Sequence, residues 1–185
     1  MAGPVVAAAL VLPRVLDFNT SPWLGDIRDS KLLDATARER LAPLIESWAE
    51  SVQIGVASVE EIDQINIFHA SHLAMGRALK GLKTQPGHVL VDGKFLPKNQ
   101  TEFNFPATAV IKGDQKCLSI AAASIVAKVW RDRYMVELDQ QFPMYGFAKH
   151  KGYPTEFHAQ ALKQHGASQV HRRSFRTVKA NLWIG

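Results

Sequence analysis

Two short apolar runs constrain the fold of this 185-residue chain more than any other feature. HVLVDG at 88–93 and ATAVIKGD at 107–114 are rich in apolar, partly β-branched residues, and each delivers a carboxylate, Asp92 or Asp114, at its carboxyl end. Runs of this kind bounded by Gly and Asp read as buried strands. A long helical pattern through AAASIVAKVWRDRYM follows them. Open α/β sheets place their chemistry just past the carboxyl ends of buried strands. Asp-Gly and Gly-Asp are also ordinary turn dipeptides. On spacing alone, a carboxylate site and a pair of structural turns are both open.

The remaining elements fit an α/β chain. Residues 1–13 read as an apolar strand ended by Pro13, and a turn-rich loop follows through 18–23. A helix is predicted downstream, capped by Ser30 or Asp34, with Leu41, Leu44, Ile45 and Trp48 at helical spacing. SVQIGVASV alternates like a strand. VEEIDQINIFHASHLAMGRALKGLK reads as one continuous amphipathic helix with Ile65, Phe68, Leu73, Met75 and Leu79 on its core face. His69 and His72 read as structural or solvated. Pro97 and Pro106 bracket the loop between the two carboxylate-ending strands. The helix after Asp114 spans about 118–141, with small alanines at its start and Ser124, Lys128 and Asp132 on one polar stripe. A further helix has Pro154 near its first position and Gly166 past its end. Nothing marks a linker, so one domain over 1–185 is expected, with a basic helical part from about 142.

Charge and composition narrow the partners. The net charge is +5, and residues 142–185 hold seven Lys/Arg against one acid, Glu156. A basic region on a near-neutral body points to a polyanion, nucleic acid first, with a merely solvated basic face as the alternative. No apolar run reaches the roughly 18 residues needed to span a membrane. The single cysteine, Cys117, excludes an internal disulfide, suits a reducing cytoplasm, and reads as a small buried hydrophobe. A monomer is the default expectation.

Two carboxylates at adjacent strand ends suit a hard divalent cation. Mg²⁺ binds through one or two carboxylates, keeps several waters and accepts phosphate oxygens. The histidines do not pair with cysteines at zinc spacing. Phosphate loops of the Walker type and nucleophile elbows are absent. A glycosidase could use two carboxylates, but a neutral sugar gains nothing from the basic region.

Eight segments occur in a telling order: AGPVVAAALVL, DSK at 29–31, INIFHA at 65–70, VDG at 91–93, KGD at 112–114, AASIVAKVWRD at 122–132, YGFAKHKGYPT at 145–155 and HRRSF at 171–175. Together they resemble bacterial ribonuclease HII, the type 2 ribonuclease H, over essentially the whole chain. The resemblance implies a ribonuclease H-like α/β fold, a mixed sheet flanked by helices. It implies an endonuclease that cuts the RNA strand of RNA–DNA hybrids and 5′ to single ribonucleotides in duplex DNA, using Mg²⁺ or Mn²⁺. That activity belongs to ribonucleotide removal in DNA replication and repair. Asp92 and Asp114 would be two of four acidic metal-site residues. Tyr153 would pack on the ribonucleotide sugar, where the 2′-OH distinguishes RNA from DNA. Lys31, Ser124, Lys128, Arg172 and Arg173 would be phosphate or scaffold contacts.

One departure carries consequences. The family's first strand bears an Asp-Glu pair and a Gly-Arg-Gly turn just before the AGPVV segment, where this chain has Met1. The expectation is a missing first strand, with Met1 an internal methionine of a longer natural chain that begins about 15–25 residues upstream. Of the acids present, Asp26, Asp29 and Asp132 do not suggest replacements by their placement. The chain as written is expected to be inactive or nearly so. The alternative function is a non-catalytic nucleic-acid-binding remnant of the same fold.

Overall fold

The computed structural model describes residues 1–97 and 103–182. The fold is mixed α/β. Four strands are described, β1 (Val5–Val11), β2 (Ser51–Ala57), β3 (Val89–Asp92) and β4 (Ala107–Val110). The helices are α1 (Ala35–Trp48), α2 (Val59–Lys80), α3 (Leu118–Gln141), α4 (Phe147–His150), α5 (Glu156–His165) and α6 (Arg176–Lys179). β1 pairs with β2, and β3 with β4. Part of the predicted loop between Pro97 and Pro106, and Trp183 near the end, lie outside the described residues.

The chain divides into two compact units. One comprises Met1–Val5, Ala57–Ser71 and Trp130–Gly185, the other Val6–Val56 and His72–Val129. In the second unit, Leu24, Ile27, Leu33, Leu41 and Ile45 pack on Ala121, Ala122, Ile125, Val126 and Val129. The alanines that open α3 let it approach closely. Asp34, not Ser30, caps α1, its carboxylate accepting the Ala37 N–H at 2.7 Å. Truncating Ile45 there would cost about 2–5 kcal/mol.

β3 and β4 run parallel, with Asp92 opposite Val110. Their carboxyl ends therefore coincide, as the two apolar runs predicted. A short 3-10 turn, Gly113–Gln115, follows β4 and carries Asp114.

The predicted single amphipathic helix is broken. Asn66 interrupts α2 at φ 63°, ψ 165°. Its side chain then caps the second half, accepting the N–H groups of Phe68 (2.9 Å) and His69 (3.2 Å). The break resets the helical phase, so Ile65 and Phe68 are exposed while Ile62, Ala70, Ala74, Ala78 and Leu79 are buried. Small residues are required on that face. A Cβ at Gly55 of β2 would lie 1.9 Å from the Ala74 carbonyl oxygen, so helix and strand meet backbone to backbone.

The first unit is built around Met135, Leu138, Tyr145, Phe147, Leu162 and Val178. Thr155 caps α5 by accepting the His158 N–H at 3.2 Å, and Gly166 ends it at φ 71°. Pro154 thus precedes the cap and does not occupy the first helical position.

Candidate active site

The carboxylate site forms in the second unit, where the parallel pair ends. The Gly113 N–H donates to Asp92 Oδ1 at 2.8 Å, tying the end of β3 to the turn after β4. Gly113 permits that approach: a Cβ there would sit 2.4 Å from Ile120 Cδ1 and 3.2 Å from Asp92 Oδ1. Lys112 takes the left-handed conformation (φ 55°) just before the turn. Asp92 is exposed and Asp114 is buried.

Lys31 joins this pair from a distant part of the chain. Its Nζ donates to Asp114 Oδ2 at 3.2 Å and lies 4.0 Å from Asp29 Oδ1. The Asp114 hydrogen bond raises its pKa, with further support from the charges of Asp114, Asp29 and Asp92. Asp29 is buried; its Oδ1 accepts the Lys31 N–H (3.0 Å) and its Oδ2 accepts from Gln115 Nε2 (3.3 Å). The Lys31 N–H bond holds the Asp29 carboxyl below its ordinary value. Arg38 of α1 fixes the same turn, Nη1 donating to the carbonyls of Ser30 (2.9 Å) and Leu33. Ser30 and Ser124 share a hydroxyl–hydroxyl bond of 2.7 Å, anchoring the turn to α3. A cleft of about 450 Å³ opens here, lined by Arg28, Asp29, Asp114, Gln115 and Lys116 among others. Cys117 also lines it and is half-buried, not the fully buried hydrophobe expected.

Sequence reasoning set Asp29 aside as an acid without a role, yet the fold places it beside Asp114 and Lys31. The DSK segment held the signal, but a separation of 83 residues between Lys31 and Asp114 hid the partner. Among the described residues, no group of three or more His, Cys, Asp or Glu is arranged to hold a metal ion by itself. The donors at Asp92 and Asp114 are carboxylate oxygens at one strand edge. That set fits a hard dication whose shell is completed by water and phosphate oxygens.

The other predicted residues are distributed as follows. Lys128 is half-buried on α3, one turn beyond Ser124. Tyr153, Arg172 and Arg173 belong to the first unit. Tyr153 is 52% exposed, with the Arg131 guanidinium 5.2 Å from its ring centroid. The sequence reading did not single out Arg131. Arg172 is buried; Nε donates to the Gly3 carbonyl (2.8 Å) and Nη2 to the Pro4 carbonyl (3.1 Å). Burial, then the Arg131 charge, pulls its pKa down to about 10. Arg172 therefore has a scaffold geometry. Arg173 is exposed, and its N–H donates to Asp63 Oδ2 at 2.8 Å.

Comparison with known proteins gives a consistent picture. A ribonuclease HII of Myxococcus xanthus is 51% identical over 185 residues, all of this chain and 60% of its own length. One from Ruegeria pomeroyi is 51% identical over 183 residues, 99% of this chain and 74% of its own. Among solved structures, an Archaeoglobus fulgidus RNase HII in complex with PCNA superposes with a TM-score of 0.73 at 26% identity, covering 97% of this chain and 90% of that one. A Bst-RNase HIII in complex with Mn²⁺ shares the fold, with a TM-score of 0.70 at 19% identity over 99% of this chain and 65% of that one. With the ribonuclease HII family model matching residues 1–178 and half of all positions identical to such relatives, this chain belongs to the ribonuclease HII family.

Proposed function

We propose that this chain carries the metal-binding pole of an endonuclease that cleaves the RNA strand of RNA–DNA hybrids, and 5′ to single ribonucleotides in duplex DNA. The observation that carries this reading is that Asp92 ends β3 and Asp114 sits on the turn just after β4, two parallel strands whose carboxyl ends coincide, with the Gly113 N–H tying Asp92 to that turn. Family membership supplies the substrate class.

Asp92 and Asp114 would hold Mg²⁺ or Mn²⁺. Such a bound cation supplies Lewis acidity at the scissile phosphate and an activated water. The protein's own groups prepare the site. Gly113 fixes the rotation of the Asp92 carboxylate. Lys31 lowers the repulsion between Asp114 and an incoming phosphate, and its largely exposed side chain can reach a phosphate oxygen. The Ser30–Ser124 bond keeps the Lys31 turn seated on α3. Tyr153 supplies an aromatic face and a hydroxyl for the sugar at the RNA–DNA junction, with Arg173 and Lys128 as phosphate contacts. Hydrolysis would leave a 3′-hydroxyl and a 5′-phosphate. The single cysteine is in keeping with action in a reducing cytoplasm, with a monomer as the default state.

A second reading has its own observation. No three potential ligands gather among the described residues, which favours a nucleic-acid-binding remnant without turnover. A labelled duplex with one embedded ribonucleotide, incubated with the purified chain in Mg²⁺ or Mn²⁺, separates the two. Metal-dependent cleavage 5′ to the ribonucleotide, lost in Asp92→Asn, supports the nuclease. Salt-sensitive binding without cleavage in either metal supports the remnant. Absence of both overturns each reading.

A further inference from the structure

Three histidines of the first unit have ring nitrogens facing partners of fixed polarity. His158 is wholly buried, and its Nδ1 lies 2.9 Å from the Tyr153 carbonyl oxygen. A carbonyl only accepts, so Nδ1 bears the hydrogen and Nε2 bears the lone pair. That lone pair faces His171 Nε2 at 3.0 Å, which must therefore donate. His171 Nδ1 is left as an acceptor, and it receives the Ser168 N–H (3.1 Å) and hydroxyl (2.8 Å). His150 resolves the same way. Its Nε2 donates to the Tyr145 carbonyl at 2.7 Å, and its Nδ1 accepts the Gly152 N–H at 3.2 Å. The His150 and His158 rings stack at 4.4 Å with 10° between planes. One neutral tautomer at each ring satisfies every bond, and an added proton on any of the three sets a donor against a donor: His150 Nδ1 against the Gly152 N–H, His158 Nε2 against His171, or His171 Nδ1 against the Ser168 N–H.

These bonds converge on one short stretch of backbone. The Gly152 N–H and the Tyr153 carbonyl are both held by imidazoles. The Tyr153 N–H donates to the His150 carbonyl and the Thr155 N–H to the Tyr153 carbonyl, each at 2.9 Å. Lys151 (φ 50°) and Gly152 (φ 76°) are both left-handed, and a Cβ at Gly152 would lie 2.6 Å from the Ala2 carbonyl oxygen. Glycine takes this conformation freely, but Lys151 holds it only where surrounding contacts over-determine it. We propose that His150, His158 and His171 are positioning residues, a chain of single-tautomer neutral imidazoles that fixes the backbone from Gly152 to Thr155 and so the direction in which the Tyr153 ring leaves it. The consequence for nucleic acid rests on Tyr153 being the sugar contact assigned above; the positioning itself does not.

The tautomers are readable without any substitution. Long-range ¹H–¹⁵N spectra of the ¹⁵N-histidine-labelled chain at pH 7 should show His158 protonated at Nδ1, and His150 and His171 at Nε2. The opposite tautomer at His158, or a cationic ring at His158 or His171, overturns the proposal. Two variants then separate positioning from simple core filling. His158→Asn keeps a donor near the Nδ1 place and the bond to Tyr153. His158→Gln reaches the Nε2 place, keeps the bond from His171 and gives up Tyr153. His158→Gln should speed amide hydrogen exchange at Tyr153 and Thr155 on the order of tenfold, the loss of about one hydrogen bond, with His158→Asn close to wild type. Equal acceleration in both variants, or none in either, overturns it; if His158→Gln fails to fold, the wild-type spectra decide. With duplexes, His158→Gln should lower the ratio of affinities for ribonucleotide-containing over all-DNA substrate, and His158→Asn should not. A wild-type chain without that preference defeats the proposed function, while tautomers and exchange still decide the positioning.

Discussion

Acid should unfold this protein through its buried histidines. Burial, reinforced by neighbouring positive charge, lowers His158 from 6.5 to about 4 and His171 to about 3. The charges that face them are each other, His150 and the Met1 α-amino group, itself pushed down to about 5 by burial, then by Arg172 and Arg131. The sign follows from proton counting. Below pH 6.5 the unfolded chain binds protons that the folded chain refuses, so stability falls as pH drops from 6.5 toward 4. Each histidine loses about 1.4 kcal/mol per pH unit, so the pair loses about 3 kcal/mol between neutrality and pH 5.5. For a chain of this size that is a drop in Tm of roughly 6–12 °C. Thermal and urea unfolding at pH 7.5, 6.5 and 5.5 measure it. Other titrating groups, the α-amino group included, contribute with their own slopes, so the comparison is with His158→Gln. Removing one of the two rings should halve the histidine part, making the variant's curve shallower by about 1.4 kcal/mol per unit below pH 6.5. Parallel curves for the two proteins between pH 6.5 and 5 would refute the reasoning.

Other expectations follow from the carboxylate site and the arginines. Asp92→Asn should leave the unfolding midpoint nearly unchanged, because the side chain is exposed, while weakening Mn²⁺ binding by calorimetry at least tenfold, about 1.4 kcal/mol. Lys31→Ala removes the cation 3.2 Å from Asp114 Oδ2. Mn²⁺ should then bind more tightly, while the salt dependence of duplex binding loses about one unit of slope. Gly113→Ala drives a methyl into Ile120 and toward Asp92, and should cost about 1–3 kcal/mol in urea unfolding together with Mn²⁺ affinity. Arg172→Ala strands two backbone carbonyls and should cost about 3 kcal/mol or more, whereas Arg173→Ala should change stability by no more than about 0.5 kcal/mol and lower the salt slope instead.

The sequence by itself determined the strand-and-turn frame of the carboxylate site. Apolar runs, β-branching and Gly/Asp punctuation are local, and they placed Asp92 at the end of β3 and Asp114 just past β4. The span of α3 was legible for the same reason. Where a single residue outweighed a pattern, periodicity misled: Asn66 recaps α2, shifts its phase and hands the buried face to alanines packed on Gly55. Pairings across the chain were out of reach. Lys31 meets Asp114 over 83 residues and Arg172 meets Gly3 over 169, separations that leave no periodic trace in either segment. The motif HRRSF therefore left both arginines open as phosphate or scaffold contacts, whereas the fold makes the first a buried scaffold and leaves the second exposed. The histidines show the division most plainly. Their residue types were visible, but their tautomers and their hold on Tyr153 depend on which carbonyl or ring each nitrogen faces, and only the tertiary structure decides that.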